Sequence, residues 1–238
     1  MNNALEIQNV HYSYSDKKNI LTGVYWSIPS GQSVGLIGSN GAGKTTLFLL
    51  SAGVYKPDIG SIQVFGAPVK YSGYNENIGY VFQNPDDMLF SPTVWDDIAF
   101  GPLNQGLSKS EIHELVHQTL FDFGIDELEA RAPQHLSGGE KRLVSIAAAV
   151  VLKPKILLLD EPNSDLDNRA RRKLINALTG LNITKVISSH DLEFVLETCT
   201  HAALLSQGKI IAYGESSVLL ADKELMEQCG QEVPHSLR

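Results

Sequence analysis

An α/β fold with a P-loop core, an antiparallel β edge and an inserted helical subdomain is what this 238-residue sequence predicts. Three observations carry that expectation. The apolar stretch Ser33-Val34-Gly35-Leu36-Ile37 runs directly into Gly38-Ser39-Asn40-Gly41-Ala42-Gly43-Lys44-Thr45-Thr46, which fits the G-x-x-x-x-G-K-[ST] pattern and leads into a helical segment. Between Thr93 and Leu136 the pattern turns from strand grammar to helical spacing. Strands and helices then alternate again, through the apolar run Ile156-Leu157-Leu158-Leu159 that ends in Asp160-Glu161.

From the start of the chain, Leu5 to Tyr14, Leu21 to Ile28 and Ser33 to Ile37 read as β-rich pieces separated by Ser-Asp-Lys-Lys and Pro-Ser-Gly turns. A helix over Lys44 to Ala52 follows the glycines. Gly60 to Val64 and the residues around Pro68-Val69 predict an edge hairpin, then a strand over Ile78 to Phe82 and a turn over Gln83 to Asp87. Val94 to Phe100 and Lys109 to Phe123 read as helices; Ser108 can cap the second, with Glu111 as the matching acid three places on. Ile112, Leu115, Val116, Leu120 and Phe123 recur at helical spacing and supply its packed face. The second half predicts helices over Gly139 to Leu152, Asn168 to Leu178 and Leu192 to Cys199, and strands over Lys155 to Asp160 and Thr184 to Ser188. Ala202 to Ser206 and Lys209 to Ala212 form a closing hairpin around Gln207-Gly208, and the short, progressively polar stretch after Glu215 is assigned no element. The whole, 1–238, reads as one domain: a core of 1–92 and 137–238 with 93–136 inserted.

The glycine-rich run points to a nucleoside triphosphate. Its glycines let the backbone turn tightly and aim N–H groups at phosphate oxygens, and the helix that begins there adds its positive end. Lys44 adds a cation over the β- and γ-phosphates, and Thr45 offers a hydroxyl to Mg²⁺. A plain strand-to-helix turn would explain the glycines but not the Lys-Thr pair. An apolar strand ending in two acids delivers carboxylates to a ligand at the sheet edge. Asp160 is placed to hold Mg²⁺, and Glu161 to orient and activate an attacking water. Alone, the pair could equally be a strand-end cap. With the phosphate loop in the same chain, the catalytic reading is favoured. Ser137 can cap the helix that follows it, whose N-terminus can attract a phosphate, although a purely structural cap stays open on physics alone.

Composition narrows the remaining classes. With 43% hydrophobic residues the chain can bury a sizeable core, and a net charge of -8 disfavours a nucleic-acid partner. The opening residues do not read as a signal peptide, and the longest apolar runs, Ile146 to Leu152 and Ile156 to Leu159, are too short to cross a bilayer. A cytosolic chain that meets membranes only through partners is expected. Cys199 and Cys229 are isolated and read as buried or idle thiols, and the seven histidines look scattered, so no transition-metal site is expected.

In order, these motifs are joined by Leu136-Ser137-Gly138-Gly139-Glu140, and together they resemble the ATP-binding cassette ATPases of membrane transporters from about Leu5 to Gly214. The resemblance implies an ATP-binding cassette nucleotide-binding domain with ATP and Mg²⁺ as ligands. It implies that the phosphate loop, Gly38 to Thr46, binds ATP on one subunit while Ser137, Gly138 and Gly139 reach the γ-phosphate held by a second, identical or homologous, subunit. Tyr14 looks like the aromatic residue that stacks on adenine, with an edge-strand aromatic as its plain alternative. Gln83 resembles the glutamine that touches Mg²⁺ or the lytic water and links the core to the helical subdomain, and His190 the histidine that bonds the γ-phosphate and Glu161. Ser164-Asp165-Leu166-Asp167 matches the loop coupling the two sites, with Asp165 in place of a small residue and Asn163 in place of threonine.

Val81 to Val94 and Ala99-Phe100-Gly101-Pro102 are most similar to ATPase subunits of energy-coupling factor importers, with the cobalt and nickel branch nearest, then biotin and other vitamin systems. Met88 departs from the glutamine frequent in that branch, and the long C-terminal extension of some members is lacking. The resemblance implies ATP-driven import on the cytoplasmic face of the membrane, through a transmembrane coupling protein and a separate membrane protein that captures the substrate. Two rivals are a soluble cassette protein acting as a mechanical switch on DNA or the ribosome, and a catalytically dead partner. The first commonly carries tandem cassettes or a long coiled insertion, and the second is disfavoured by Lys44, Asp160, Glu161 and His190.

Overall fold

The computed structural model describes residues 3–16 and 19–238. The turn expected over the Ser-Asp-Lys-Lys run therefore lies partly outside the described residues.

Two sheets organise the chain. Asn3–Tyr12 (β1), Leu21–Pro29 (β2), Ile59–Val64 (β4) and Ala67–Pro68 (β5) form an antiparallel sheet in the order β2-β1-β4-β5. Ser33–Ile37 (β3), Ile78–Val81 (β6), Ile156–Asp160 (β7), Thr184–Ser188 (β8), His201–Ser206 (β9) and Lys209–Glu215 (β10) form the second, in the order β10-β9-β3-β8-β7-β6. Within it β9, β3, β8, β7 and β6 run parallel and only the edge strand β10 is antiparallel. Every residue of β3, β7 and β8 is buried, as expected of parallel strands covered on both faces. Register places Leu36 and Asp160 on either side of Ser188, so the C-terminal ends of three neighbouring strands meet at one edge.

Helices cover this frame. Lys44–Ser51 (α1) follows β3 and buries Leu47, Phe48 and Leu50 in a core shared with the antiparallel sheet. A second core lies beneath Asn168–Gly180 (α5) and Leu192–Thr198 (α6). A third is made by Val94–Asn104 (α2), Lys109–Phe123 (α3) and one face of Gly138–Val150 (α4), through Val94, Ile98, Ile112, Val116, Leu120, Val144 and Ala147. Ser108 and Glu111 form the expected reciprocal cap on α3, and Gly124 ends it in the left-handed region at φ 61.

Three local expectations need correction. The helix expected over Val94 to Phe100 continues to Asn104 through Pro102, which is buried. That burial offsets part of the interior-proline penalty, ~3 kcal/mol. The first strand stops at Tyr12, so Tyr14 lies in the loop after it. The polar C-terminal stretch folds as Ser216–Leu219 (α7) and Lys223–Gln228 (α8), with Leu219, Leu220, Met226 and Cys229 sealing the second core. Among the described residues no helix is long and apolar enough to cross a membrane.

Candidate active site

The parallel strands explain why residues far apart in sequence meet. β3 delivers the glycine loop, β7 delivers Asp160 and Glu161, β8 delivers His190, and β6 delivers Gln83, all from the same edge. Tyr14, Ser39, Asn40, Gly41, Gly43, Lys44, Thr45, Thr46, Gln83, Asp160, Glu161 and His190 line one cavity of about 450 Å³, together with Ile20.

The loop is shaped by glycines. Gly41 and Gly43 have φ of 79 and 106, and a Cβ on Gly43 would sit 2.9 Å from a Leu21 methyl. Gly38 lies behind the loop, where a Cβ would come within 2.4 Å of the Leu205 carbonyl. Ala42 is buried, and Lys44 reaches back so that its ammonium donates to the Gly38 carbonyl at 2.8 Å.

The acids occupy different environments. Asp160 Oδ1 accepts from the Ser188 hydroxyl at 2.5 Å, whereas its Oδ2 is buried without a hydrogen-bond partner. A buried carboxylate oxygen facing a cavity with no donor of its own fits a cation. Thr45, exposed on the same wall, and Gln83 supply further oxygen donors of the hard kind that Mg²⁺ takes. Glu161 sits at φ 44, a backbone region that non-glycine residues rarely hold, and its N–H donates to the Ser188 carbonyl at 3.1 Å and hydroxyl at 2.9 Å. Its Oε1 lies 3.5 Å from Lys44 Nζ and its Oε2 2.7 Å from His190 Nδ1. One carboxylate is thus held between the phosphate-loop cation and an imidazole whose ring is largely exposed.

Tyr14 is fixed from two sides. Its hydroxyl meets Thr46 Oγ1 at 3.1 Å, and its ring packs edge-on against Tyr12 and Tyr55 at centroid distances of 5.1 and 5.9 Å. Tyr12 and Tyr55, which sequence reasoning passed over, are what hold it at the cavity mouth.

The remaining expected residues lie outside the cavity. Ser137 caps α4, accepting from the Glu140 N–H, while its own N–H and then its hydroxyl hold the Glu140 carboxyl below the usual range. Above Gly138 a Cβ would meet nothing within 4 Å, whereas on Gly139 it would lie 2.6 Å from Ala170 Cβ of α5. Ser164 donates its N–H to the Glu161 carbonyl at 3.3 Å, and Asp165 is exposed at φ 60. Leu166 packs on the second core, and Asp167 caps α5 through the Ala170 N–H at 2.8 Å. Asn163 accepts from the Ser189 hydroxyl at 2.9 Å.

Arg142 was missed by sequence reasoning. From α4 it donates to the carbonyls of Phe82 and Gln83 at 3.0 and 2.7 Å, and burial lowers its pKa. Lys141 pairs with Asp86 at 2.6 Å beside it, so one helix grips the Gln83 loop twice. A larger cavity of about 770 Å³ lies elsewhere, with Leu115, Phe123, Ala177 and Leu181 among its lining residues; it contains none of the converging Lys44, Asp160, Glu161 and His190, and chemistry rather than size selects the smaller one.

Comparison with known proteins identifies the family. The family described as ABC transporter matches residues 21–164, more than half of the chain. A protein of Synechocystis sp., provisionally named an ABC transporter ATP-binding protein, is 47% identical over 235 residues, covering 99% of this chain and 83% of the relative. The energy-coupling factor transporter ATP-binding protein EcfA of Methanothermobacter thermautotrophicus is 41% identical over 98% of this chain and 77% of its own length. The solved structure of cbiO1 from Clostridium perfringens, described as part of the ABC transporter complex cbiONQ, superposes with a TM-score of 0.85 at 34% identity, covering 96% of this chain and 94% of that one. The fold, the phosphate-loop cavity and these relatives together place the chain in the ABC transporter family, as an ATP-binding domain that is an ATPase coupled to transport.

Proposed function

We propose that this chain is the ATP-hydrolysing subunit of an energy-coupling factor importer. The observation that carries the hydrolytic part is the position of Glu161, held between Lys44 and His190 at the rim of the phosphate loop. The importer part is supported by the EcfA relatives and the cbiO1 likeness.

In this reading the Gly38 to Thr46 backbone and Lys44 bind the triphosphate, and Tyr14 stacks on the adenine. Thr45, Asp160 and Gln83 hold Mg²⁺, which when bound neutralises charge on the phosphate oxygens. Glu161 takes the proton of the attacking water, and His190, bonded to that carboxylate, fixes its orientation and donates toward the γ-phosphate. Ser137, Gly138 and Gly139 complete the site of a second ATPase subunit, for which the open space above Gly138 leaves room. Ser164 to Asp167 couple the paired sites across the seam.

The membrane-facing surface lies where the Asn84 to Val94 loop of the core (1–92 and 137–238) joins the insertion 93–136. Phe90 and Phe100 pack edge-to-face at 5.0 Å yet remain 65% and 49% exposed, which suits an apolar helix of a transmembrane coupling protein. The chain then sits on the cytoplasmic face of the membrane through its partners, with substrate captured by a separate membrane protein. Cobalt or nickel is the proposed cargo, on the likeness of the Gln83 to Val94 stretch to that branch. Biotin or another vitamin is the second reading.

Purifying the chain with its native membrane partners and reconstituting the complex in vesicles tests this. ATP-dependent uptake of Co²⁺ or Ni²⁺, abolished by Lys44→Ala, is expected. Uptake of a vitamin without metal would overturn the cargo alone, and partners lacking transmembrane segments would overturn the importer reading.

A further inference from the structure

We infer that His113 and His117, with Glu129 as third ligand, form a surface site for a divalent transition-metal ion, separate from the nucleotide cavity. The sequence shows these histidines as two of seven scattered ones. Helix α3 runs through both, so a spacing of four residues puts them one above the other on a single face. Their Nε2 atoms are 3.2 Å apart and the ring centroids 4.3 Å. Two nitrogens bound to one ion at ordinary Zn–N lengths lie about 2.9 to 3.4 Å apart, depending on the coordination angle. The pair therefore already has the separation of two ligands on one metal. A divalent ion between the two rings uses a lone pair from each nitrogen.

Glu129 supplies the charge. Its Oε1 lies 3.7 Å from His117 Nε2, on the turn that follows Asp126–Leu128. Among the described residues no group of three or more His, Cys, Asp or Glu already stands at metal-holding distances. The site is thus a preformed histidine pair that Glu129 closes by turning its side chain, with water completing the shell. Two imidazoles and one carboxylate favour Zn²⁺, Co²⁺, Ni²⁺ or Cu²⁺ over Mg²⁺ or Ca²⁺. None of the three residues lines the phosphate-loop cavity. The Glu129 carbonyl accepts from the Trp95 N–H at 3.0 Å, so a bound ion would tie α3 to the start of α2 and stiffen the insertion.

The test uses the untagged full chain without nucleotide, titrated with Zn²⁺ or Ni²⁺ by calorimetry and with Co²⁺ by visible absorption. One equivalent is expected to bind and to raise Tm. Binding should be lost in H113A and in H117A, weakened in E129Q, and unchanged in K44A, which disables the phosphate site. Parental protein that binds no metal, or H113A and H117A variants that bind as tightly as the parent, would overturn the assignment. His113 and His117 are exposed on α3, and circular dichroism checks that the helix persists in H113A and H117A.

Discussion

Arg142 Nη2 donates to the Gln83 carbonyl at 2.7 Å, tying the helix that begins with Ser137-Gly138-Gly139 to the loop that brings Gln83 to the nucleotide cavity. The second fork nitrogen holds the Phe82 carbonyl at 3.0 Å, and Nε is buried without a partner. A buried guanidinium that donates to two consecutive carbonyls fixes the direction of that backbone in a way a single ammonium cannot. The end of α4 proposed to face a second subunit and the loop that leads to Phe90 are therefore joined through these two hydrogen bonds.

Replacing Arg142 by methionine leaves both carbonyls without their donor. Hydrogen bonds to charged groups are worth ~1.5–3 kcal/mol each, so losing two should lower stability by ~3–6 kcal/mol, and Arg142→Lys should recover only part of it. Because Arg142 does not line the cavity, turnover should drop more than ATP affinity. Denaturant unfolding and separate measurements of Kd and kcat check this. Equal losses in both would leave Arg142 a merely structural residue.

Within the cavity the roles of Lys44 and Glu161 should separate. Lys44→Ala removes the cation beside the Gly38 carbonyl and should weaken nucleotide binding. Glu161→Gln keeps the shape and a hydrogen bond to His190 but removes the base, so binding should survive while single-turnover hydrolysis falls about 10²- to 10⁴-fold. Hydrolysis at the parental rate in Glu161→Gln would transfer the base to another group.

Much of this frame was legible because it is written in local chemistry. The Ser108 to Glu111 cap opens α3, which runs from Lys109 to Phe123, and the apolar runs bound β3 at Ser33 and Ile37 and β8 at Thr184 and Ser188, all as expected from sequence. The convergence of Lys44, Asp160, Glu161 and His190 follows from strand ends, which parallel strands must align. What was hidden depends on partners distant in sequence. Arg142 looks like an ordinary helix charge until its target carbonyls, 60 and 59 residues away, come into contact. Likewise α7 and α8 are too short for periodicity to declare them and are held by burying Leu219, Leu220 and Met226 in the second core.

The two glycines opening α4 should respond differently to alanine. Gly139→Ala forces a methyl to within 2.6 Å of Ala170 Cβ, so α4 and α5 must separate. Overpacking of this kind costs ~1–3 kcal/mol, against a gain of roughly 1 kcal/mol in helix propensity. A net loss is expected at Gly139, and stability at or above the parental value is expected at Gly138, where the methyl meets open space. If that space receives a second subunit, Gly138→Ala in the Glu161→Gln background should instead impair ATP-dependent association. Thermal unfolding and light scattering with and without MgATP read the two effects separately.

The exposed Phe90 and Phe100 ring pair offers a direct test of where the membrane partner docks. Leu89, its neighbour in the loop, is 8% exposed and belongs to the third core, so a probe there would perturb folding rather than report contact. Phe90 is held differently: its N–H and that of Ser91 donate to Asp97 Oδ1 at 3.1 and 3.0 Å, which fixes the backbone while the ring faces outward. Cysteine probes at Phe90 and Phe100 can be labelled selectively. Cys199 is buried with its thiol pushed up to about 11, and Cys229 is buried with its thiol also raised. Both native thiols should resist alkylation at pH 8 until the chain unfolds, whereas the probes should react at once. In an active complex each probe should crosslink to the transmembrane coupling protein, and a polar Phe90→Ser, Phe100→Ser pair should uncouple uptake from hydrolysis while leaving ATP binding intact. Probes that react freely with solvent reagents in that complex, and never with a membrane partner, would place the interface on another face of the insertion.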